Sequence, residues 1–189
     1  MKKIALFASG SGSNVENIAT YFSNQPNVKI ELVLSNNPNA YVLERCKTLN
    51  IESYVFNRTD FYNSNKVSEI LLGRNIDLIV LAGFLWLIPE HLVQAFPNKI
   101  INIHPALLPK FGGKGMYGQH VHEAVIANRE AESGITIHYV NEKYDEGVPL
   151  FQAKVSLEPN ETANSLAEKI HQLEYDHFPR VIASILKLN

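Results

Sequence analysis

The chain has 189 residues, a formal net charge of −2 and one cysteine, Cys46. This length predicts one domain, and the charge excludes the basic excess that is typical of nucleic-acid-binding proteins. A single cysteine excludes an internal disulfide and a multi-cysteine zinc site, and it is consistent with a reducing compartment. The longest apolar run, residues 78–88, is shorter than the roughly 18 residues that span a membrane. We therefore expect a soluble, cytoplasmic protein without a targeting segment, which binds neither membrane nor nucleic acid.

The first half of the chain alternates short apolar runs with helical patterns. Residues 4–8, 29–34 and 78–81 are nearly continuous in Ile, Val and Leu and predict buried strands, while weaker strand patterns cover residues 53–56 and 100–103. The 3.6-residue patterns between them predict helices over residues 15–22, 40–49 and 65–72. This order predicts an α/β fold with a mostly parallel, twisted sheet flanked by helices.

The second half has a different pattern. Residues 135–140 and 148–155 predict two strands joined by a polar turn, so this pair is expected to be antiparallel. A last helix is expected from about Glu161, with Asn160 as its N-cap. Pro179 is expected to break or kink that helix, and residues 181–186 predict a further helical piece.

A glycine loop, SGSGSN at residues 9–14, follows the first strand and precedes a helix. Glycines allow close approach of the backbone to an anion, and a helix N-terminus supplies free N–H groups. The dinucleotide fingerprint needs a third glycine where Val15 stands and an acid after the second strand, where Asn36 and Asn37 stand. The Gly-Lys-Ser/Thr of a Walker loop is also absent. The loop therefore favours a lone phosphate over NAD or ATP, with a plain tight turn as the alternative.

Asn102 and His104 lie two residues apart in a strand-like run, so their side chains share a face. Pro105 should end the strand, and ligands of open α/β sheets collect at the carboxyl ends of strands. An amide donor and an imidazole suit acyl transfer, because they can stabilise an oxyanion and move protons. A carboxylate such as Asp145 would keep His104 charged. The alternatives are a structural histidine and, for Asp145, a simple turn residue.

Three further features each have two interpretations. His120 and His122 have the spacing of paired metal ligands, but on the helix expected near Ala124 they would not share a face, so we expect no metal. The glycine-rich residues 110–120 are either a mobile lid or a passive surface loop. Phe84 and Trp86, after a buried strand, are either core residues or ligand contacts.

Residues 102–109, NIHPALLP, resemble the Asn-x-His-Pro-Ser-Leu-Leu-Pro signature of folate-dependent formyltransferases. Residues 9–14, 81–84, 134–138 and 145–147 match the same family in order, so the resemblance covers essentially the whole chain. The N-terminal glycine loop in so short a chain points to the members that act on glycinamide ribonucleotide. The resemblance implies a single Rossmann-like formyltransferase domain over residues 1–189. Its N-terminal half, about residues 1–100, would bind phosphate, and residues 101–189 would bind folate and carry the catalysis.

The resemblance also implies the reaction. The amine of glycinamide ribonucleotide would take the formyl group of the cosubstrate 10-formyltetrahydrofolate, giving formylglycinamide ribonucleotide and tetrahydrofolate in de novo purine synthesis. Small molecules would be the only partners, and the protein would be a monomer or a weak homodimer. Asn102 and His104 would polarise the formyl oxygen, Asp145 would raise the pKa of His104, and His138 would be an active-site neighbour.

The remaining family positions are binding contacts. The phosphate would be held by Gly12, Ser13 and Asn14, and the ribose by Glu174. The folate would be held by Leu85, Trp86, Leu87, Ile88, Asn102, Asn141 and Asp145. Many members have Met-Arg where Leu85 and Trp86 stand here. The arginine that often binds the glutamate tail of the folate has no clear match, and Arg58 is left unassigned.

Several rival functions remain open. Formyltetrahydrofolate hydrolase and methionyl-tRNA formyltransferase share the Asn-x-His element, but they normally carry an additional domain, for which 189 residues leave no room. Sugar-nucleotide formyltransferases differ in the nucleotide site. A non-catalytic nucleotide-binding module is the rival from another class. Acceptor-dependent turnover separates the glycinamide ribonucleotide enzyme from all of these.

Overall fold

The computed structural model describes residues 1–188, and Asn189, the last residue of the predicted domain, lies outside the described residues. Seven strands form one sheet in the order β3-β2-β1-β4-β5-β6-β7. The strands are β1 (Lys2–Phe7), β2 (Val28–Ser35), β3 (Ser53–Val55), β4 (Leu78–Leu81), β5 (Ile100–His104), β6 (Glu132–Tyr139) and β7 (Pro149–Ser156). All five strands predicted in the first half are present.

The sheet is mixed in the way the sequence indicates. β1 pairs in parallel with β2 and β4, and the parallel region extends to β3 on one side and β5 on the other. β6 and β7 are antiparallel, as predicted from the turn between them, and β6 is also antiparallel to β5. The predicted α/β class is therefore confirmed, and β5 lies where the parallel and antiparallel regions meet.

Seven helices cover the two faces of the sheet in the described part of the chain. They are α1 (Ser13–Phe22), α2 (Val42–Leu49), α3 (Arg58–Tyr62), α4 (Lys66–Gly73), α5 (Glu90–Ala95), α6 (Gln119–Ala127) and α7 (Ala163–Ile185). Successive residues of β1 point to opposite faces, so Ile4 and Leu6 enter one apolar core while Ala5 and Phe7 enter the other. This burial on both faces explains the continuous apolar runs of the central strands. None of the helices among residues 1–188 is long and apolar enough to cross a membrane.

The last helix differs from its prediction at both ends. The N-cap is Thr162 instead of Asn160: its side chain accepts a hydrogen bond from the Ser165 N–H, and the Ser165 hydroxyl accepts one from the Thr162 N–H. The predicted break at Pro179 is also wrong, because α7 continues through it to Ile185. Phe178 and Ile182, on either side of Pro179, are fully buried in the core. Their burial stabilises helical geometry that the proline alone would disfavour.

Replacing the N-cap tests this start of α7. Thr162→Ala removes the acceptor for the Ser165 N–H, and we expect the free energy of unfolding to fall by about 1 kcal/mol. The matched control is Asn160→Ala at an exposed position, which should change it by less than about 0.5 kcal/mol. Urea unfolding followed by circular dichroism measures both, and a larger loss for Asn160→Ala would contradict the assignment.

Candidate functional site

A cavity of about 650 Å³ lies over the carboxyl ends of β1, β4 and β5. The loops after these strands form much of its wall, as expected for a ligand site on an open α/β sheet. Of the residues predicted to bind or react, all but one line this cavity: Gly12, Ser13, Asn14, Leu85, Trp86, Leu87, Ile88, Asn102, His104, His138, Asp145 and Glu174. Asn141 is not among the lining residues, and its side-chain oxygen instead accepts a hydrogen bond from the Lys143 N–H.

The glycine loop is a tight connection between β1 and α1. Gly12 is the N-cap of α1 with φ of 73°, and a Cβ at this position would overlap the Val42 side chain. A glycine is therefore required here for both its conformation and its size. Arg45, which the sequence analysis did not single out, donates from Nε to the Ser11 carbonyl at 2.8 Å and pairs with Glu16. These contacts hold the loop with the N-terminus of α1 directed at the cavity.

Asn14 and Glu174 are joined by a buried hydrogen bond. Asn14 Nδ2 donates to Glu174 Oε2 at 2.8 Å, so the Asn14 side chain is directed at α7. His171 Nδ1 donates to the same carboxylate oxygen at 3.1 Å. This hydrogen bond raises the pKa of His171 above its ordinary value. His171 could not be singled out from the sequence, because its position on the cavity depends on how α7 packs.

Asn102, His104 and Asp145 converge in the middle of the cavity. Asp145 Oδ2 lies 3.5 Å from His104 Nδ1, and Asp145 Oδ1 accepts a hydrogen bond from Asn102 Nδ2 at 3.4 Å. The Gly113 N–H donates to Asp145 Oδ2 at 3.0 Å. The contact that sequence alone left open, between Asp145 and His104, is therefore present in the structure.

Asp145 reaches this place because its turn folds back over β5. The Val140 N–H donates to the carbonyl of Ile100 at the start of β5, whereas Asp145 contacts His104 at the end of the same strand. Asp145 itself has φ of 57°, a left-handed conformation that Asp tolerates better than most residues. Burial raises the pKa of Asp145, but His138 and His104 in their protonated forms, together with the Gly113 N–H, outweigh it and the net shift is downward. The carboxylate is therefore charged.

His138 fixes the orientation of Asn102. Its Nδ1 lies 2.8 Å from the Tyr139 carbonyl, which can only accept, so Nδ1 carries the hydrogen. In the neutral ring Nε2 is then an acceptor, and Asn102 Nδ2 donates to it at 3.2 Å. The two amide hydrogens of Asn102 are thus directed at His138 and Asp145. The longer of these contacts, to Asp145, is the one that a substrate oxygen could replace.

His104 is almost completely buried, and its Nε2 donates to the Phe111 carbonyl at 2.7 Å. Burial lowers the pKa of His104 below its ordinary value of 6.5, although the charge of Asp145 and the Phe111 carbonyl oppose that effect. The charge of Asp145 raises the pKa of His104, as expected. Burial outweighs that effect, so the expectation that Asp145 keeps His104 charged is wrong. The resting ring is therefore neutral at pH 7, with its hydrogen on Nε2.

The glycine-rich segment is part of the site wall. Phe111 and Gly113 contact His104 and Asp145 directly, and residues 113–119 line the cavity. The segment contains several left-handed residues, Phe111, Gly113, Gly115 and Gly118 among them. These contacts argue against a passive surface loop.

The two aromatic residues after β4 have different surroundings. Phe84 is buried among Phe7, Phe56 and Phe61, so it belongs to the core as well as to the cavity wall. Trp86 is partly exposed, with the Tyr62 ring stacked on it at 5.9 Å and the Arg58 guanidinium 4.8 Å from its ring centre. Residues 84–88 form an apolar wall of the cavity.

The paired histidines have different surroundings. On α6, His120 is exposed and lies 3.7 Å from Glu123, whereas His122 is buried against the cavity. Within residues 1–188, no group of three or more His, Cys, Asp or Glu side chains is arranged to hold a metal ion.

The balance of burial and charge at His104 can be measured by NMR. In Asp145→Asn the largest contribution that opposes burial is lost, so the pKa of His104 should fall further and protonation should begin at lower pH. Glu132→Gln, at the start of β6, is the control and should leave the His104 titration in place. An unchanged or higher His104 pKa in Asp145→Asn would contradict the assigned contact.

The sequence profile of the Formyl transferase family matches residues 2–182. The chain is 40% identical to the chloroplastic phosphoribosylglycinamide formyltransferase of Arabidopsis thaliana, over 97% of this chain and 65% of that protein. It is 36% identical to the phosphoribosylglycinamide formyltransferase of Bacillus subtilis, over 100% of this chain and 97% of that one. The crystal structure of phosphoribosylglycinamide formyltransferase from Streptococcus pneumoniae TIGR4 superposes with a TM-score of 0.87 at 36% identity, covering 98% of this chain and 99% of that one. The chain therefore belongs to the formyl transferase family.

Proposed function

We propose that this protein transfers the formyl group of 10-formyltetrahydrofolate to the amine of glycinamide ribonucleotide. The observation that carries the proposal is the convergence of Asn102, His104 and Asp145 in one cavity that also contains the glycine loop. The named relatives that match over nearly their whole length are glycinamide ribonucleotide formyltransferases, which supports the same acceptor. Formylglycinamide ribonucleotide and tetrahydrofolate are then the products.

The chemistry follows from the geometry of the three residues. The acceptor amine attacks the formyl carbon, a C–N bond forms, and the carbonyl π electrons move to oxygen. The Asn102 amide and the His104 Nε2–H donate to that oxygen, each leaving its resting partner in the protein. The tetrahedral intermediate collapses with cleavage of the bond to N10 of the folate. N10 gains the proton that the amine loses. The free Nδ1 of the neutral His104 ring, beside the charged Asp145, holds that proton in transit.

The acceptor lies at the polar end of the cavity in this proposal. The N–H groups of Gly12, Ser13 and Asn14 at the start of α1 bind the phosphate, supported by the helix dipole. Glu174, held by Asn14 and His171, accepts hydrogen bonds from the ribose hydroxyls. The phosphate and ribose therefore orient the amine towards Asn102 and His104.

The folate lies at the apolar end. Leu85, Trp86, Leu87 and Ile88 enclose the pterin, and the turn from Asn141 to Asp145 closes over it. In this arrangement the N-terminal half, about residues 1–100, supplies the phosphate loop, and residues 101–189 supply the catalytic groups and the turn. Both halves contribute to one cavity, so the two substrates meet without a second domain.

The setting of the reaction is also part of the proposal. The amine attacks directly, so the reaction uses two small molecules and needs no metal. We propose a monomer or a weak homodimer as the active form. With a net charge of −2, we propose that the protein works in the cytoplasm without nucleic-acid or membrane partners.

Turnover with glycinamide ribonucleotide tests the function directly. We expect tetrahydrofolate production that depends on this acceptor, and a loss of about 10²–10³ in kcat for Asn102→Ala and for His104→Ala, because each removes one donor to the oxyanion. Absorbance of the folate product measures the rate.

His120→Ala, at an exposed position on α6, is the control and should keep wild-type turnover. Folate product that forms without acceptor would indicate a hydrolase instead. Absence of turnover with any acceptor, together with retained ligand binding, would support a non-catalytic binding module.

The single tryptophan reports on the folate wall. Trp86 is the only tryptophan, so its fluorescence is unambiguous, and a pterin placed against the ring should quench it. A folate analogue should therefore quench with saturation, whereas ribose 5-phosphate at the polar end should leave the signal nearly unchanged. Binding of the analogue by calorimetry with no change in fluorescence would count against the contact.

A further inference from the structure

His122 is a buried polar side chain on the cavity that the proposed chemistry does not use. It lies in α6, is only 3% exposed and belongs to the cavity lining. Its Nδ1 is buried and has no hydrogen-bond partner among residues 1–188. A nearly buried imidazole on a cavity wall with one nitrogen sealed in the protein calls for an explanation, because buried polar groups are normally hydrogen-bonded.

The sealed nitrogen determines which atom of the ring carries the hydrogen. Burial lowers the pKa of His122, and the neighbouring His171 lowers it further, so the ring is neutral at pH 7. A neutral imidazole has one N–H and one lone pair. A buried N–H without an acceptor is rarer, and costs more free energy, than a buried lone pair without a donor. The lone pair is therefore on Nδ1 and the hydrogen is on Nε2. His122 therefore offers one donor.

The neighbours of His122 place this donor along the cavity. His122 is close enough to His171 and Glu174 at the polar end, and to His104 at the reaction centre, for their charges to affect its pKa. In the proposed binding mode, the middle of the acceptor, between its phosphate and its amine, lies along this part of the cavity. A second unpartnered atom, Asn14 Oδ1, is buried at the same polar end. The cavity thus has unused hydrogen-bonding capacity where the acceptor would lie.

We propose that the Nε2–H of His122 donates a hydrogen bond to an oxygen in the middle of the acceptor and so positions its amine towards the formyl carbon. The inference rests on the proposed function, and it assigns His122 a positioning role separate from Asn102 and His104. Two oxygens have the required chemistry, one on the ribose and the amide carbonyl of the glycinamide arm. Both are acceptors, as a ring with a single N–H requires.

Substitution at His122 separates substrate positioning from a structural role. His122→Leu removes the donor and keeps an apolar side chain, whereas His122→Gln keeps an N–H at a similar reach. We expect His122→Leu to raise the KM for glycinamide ribonucleotide about tenfold, with a smaller change in kcat and an unchanged KM for the folate. His122→Gln should recover most of the loss. His120→Leu, an exposed neighbour on the same helix, is the control and should behave as wild type.

Binding and NMR measurements make the test independent of turnover. Wild-type His122 should show the 15N shifts of a neutral ring with the hydrogen on Nε2, and Nε2 should shift on addition of glycinamide ribonucleotide. If His122→Leu weakens ribose 5-phosphate as much as glycinamide ribonucleotide, the oxygen is on the ribose; if only the latter weakens, it is the amide carbonyl.

Three outcomes would overturn the inference: a hydrogen on Nδ1, no Nε2 shift on binding, or equal KM values in wild type and His122→Leu. If His122→Leu does not fold, the wild-type NMR experiment still decides. Wild-type protein that lacks turnover with glycinamide ribonucleotide would instead refute the proposed function, so the two failures are distinguishable.

Discussion

The contact between Asp145 and His104 is the constraint on which the rest of the site depends. Two groups that can carry charge lie close together and almost out of water, an arrangement that costs free energy unless donors and acceptors surround it. Asn102 and the Gly113 N–H satisfy the carboxylate, and the Phe111 carbonyl accepts from the imidazole. These partners come from β5 and from the glycine-rich segment, while Asp145 lies on the turn before β7. The left-handed residues of that segment follow from this need, because its backbone must bring a carbonyl and an N–H to the pair.

The architecture was largely predictable, because the central strands are buried on both faces and therefore appear as continuous apolar runs. Predictions from local sequence patterns were wrong for the N-cap of α7 and for Pro179, where tertiary packing has the larger effect. Asn160 and Thr162 are both good N-caps, and sequence alone does not choose between them; the choice depends on where the buried face of α7 begins, at Leu166. Pro179 removes one backbone hydrogen bond, but burial of Phe178 and Ile182 in the same turns is worth roughly 1.5–3 kcal/mol each and outweighs it.

The site residues were predictable where they belong to a short local motif, and less so where they lie on helices far apart in the sequence. Asn102 and His104 are two residues apart, so their shared face follows from strand geometry. His122 and His171 lie on helices, and which side of a helix faces the cavity depends on how α6 and α7 pack together. The net shift of the His104 pKa was not predictable for a similar reason. The sequence suggests the partner Asp145, but the depth of burial that outweighs it is a property of the folded chain.

The four histidines of the cavity differ in their hydrogen-bond partners, and this difference separates the reaction centre from the acceptor end. His138 and His104 each donate to a backbone carbonyl, Tyr139 and Phe111, so their tautomers are fixed before a substrate arrives. His171 donates to Glu174, whose charge favours the protonated ring at the acceptor end. Within the described part of the chain, the buried Nδ1 of His122 has no hydrogen-bond partner. The Asn102 and His104 donors are held by Asp145 and by the Phe111 carbonyl, so a substrate oxygen must replace these partners before the donors can stabilise the charge that develops on it. The cavity therefore combines a polar centre with the apolar wall of residues 84–88, so its two regions suit substrate groups of different polarity.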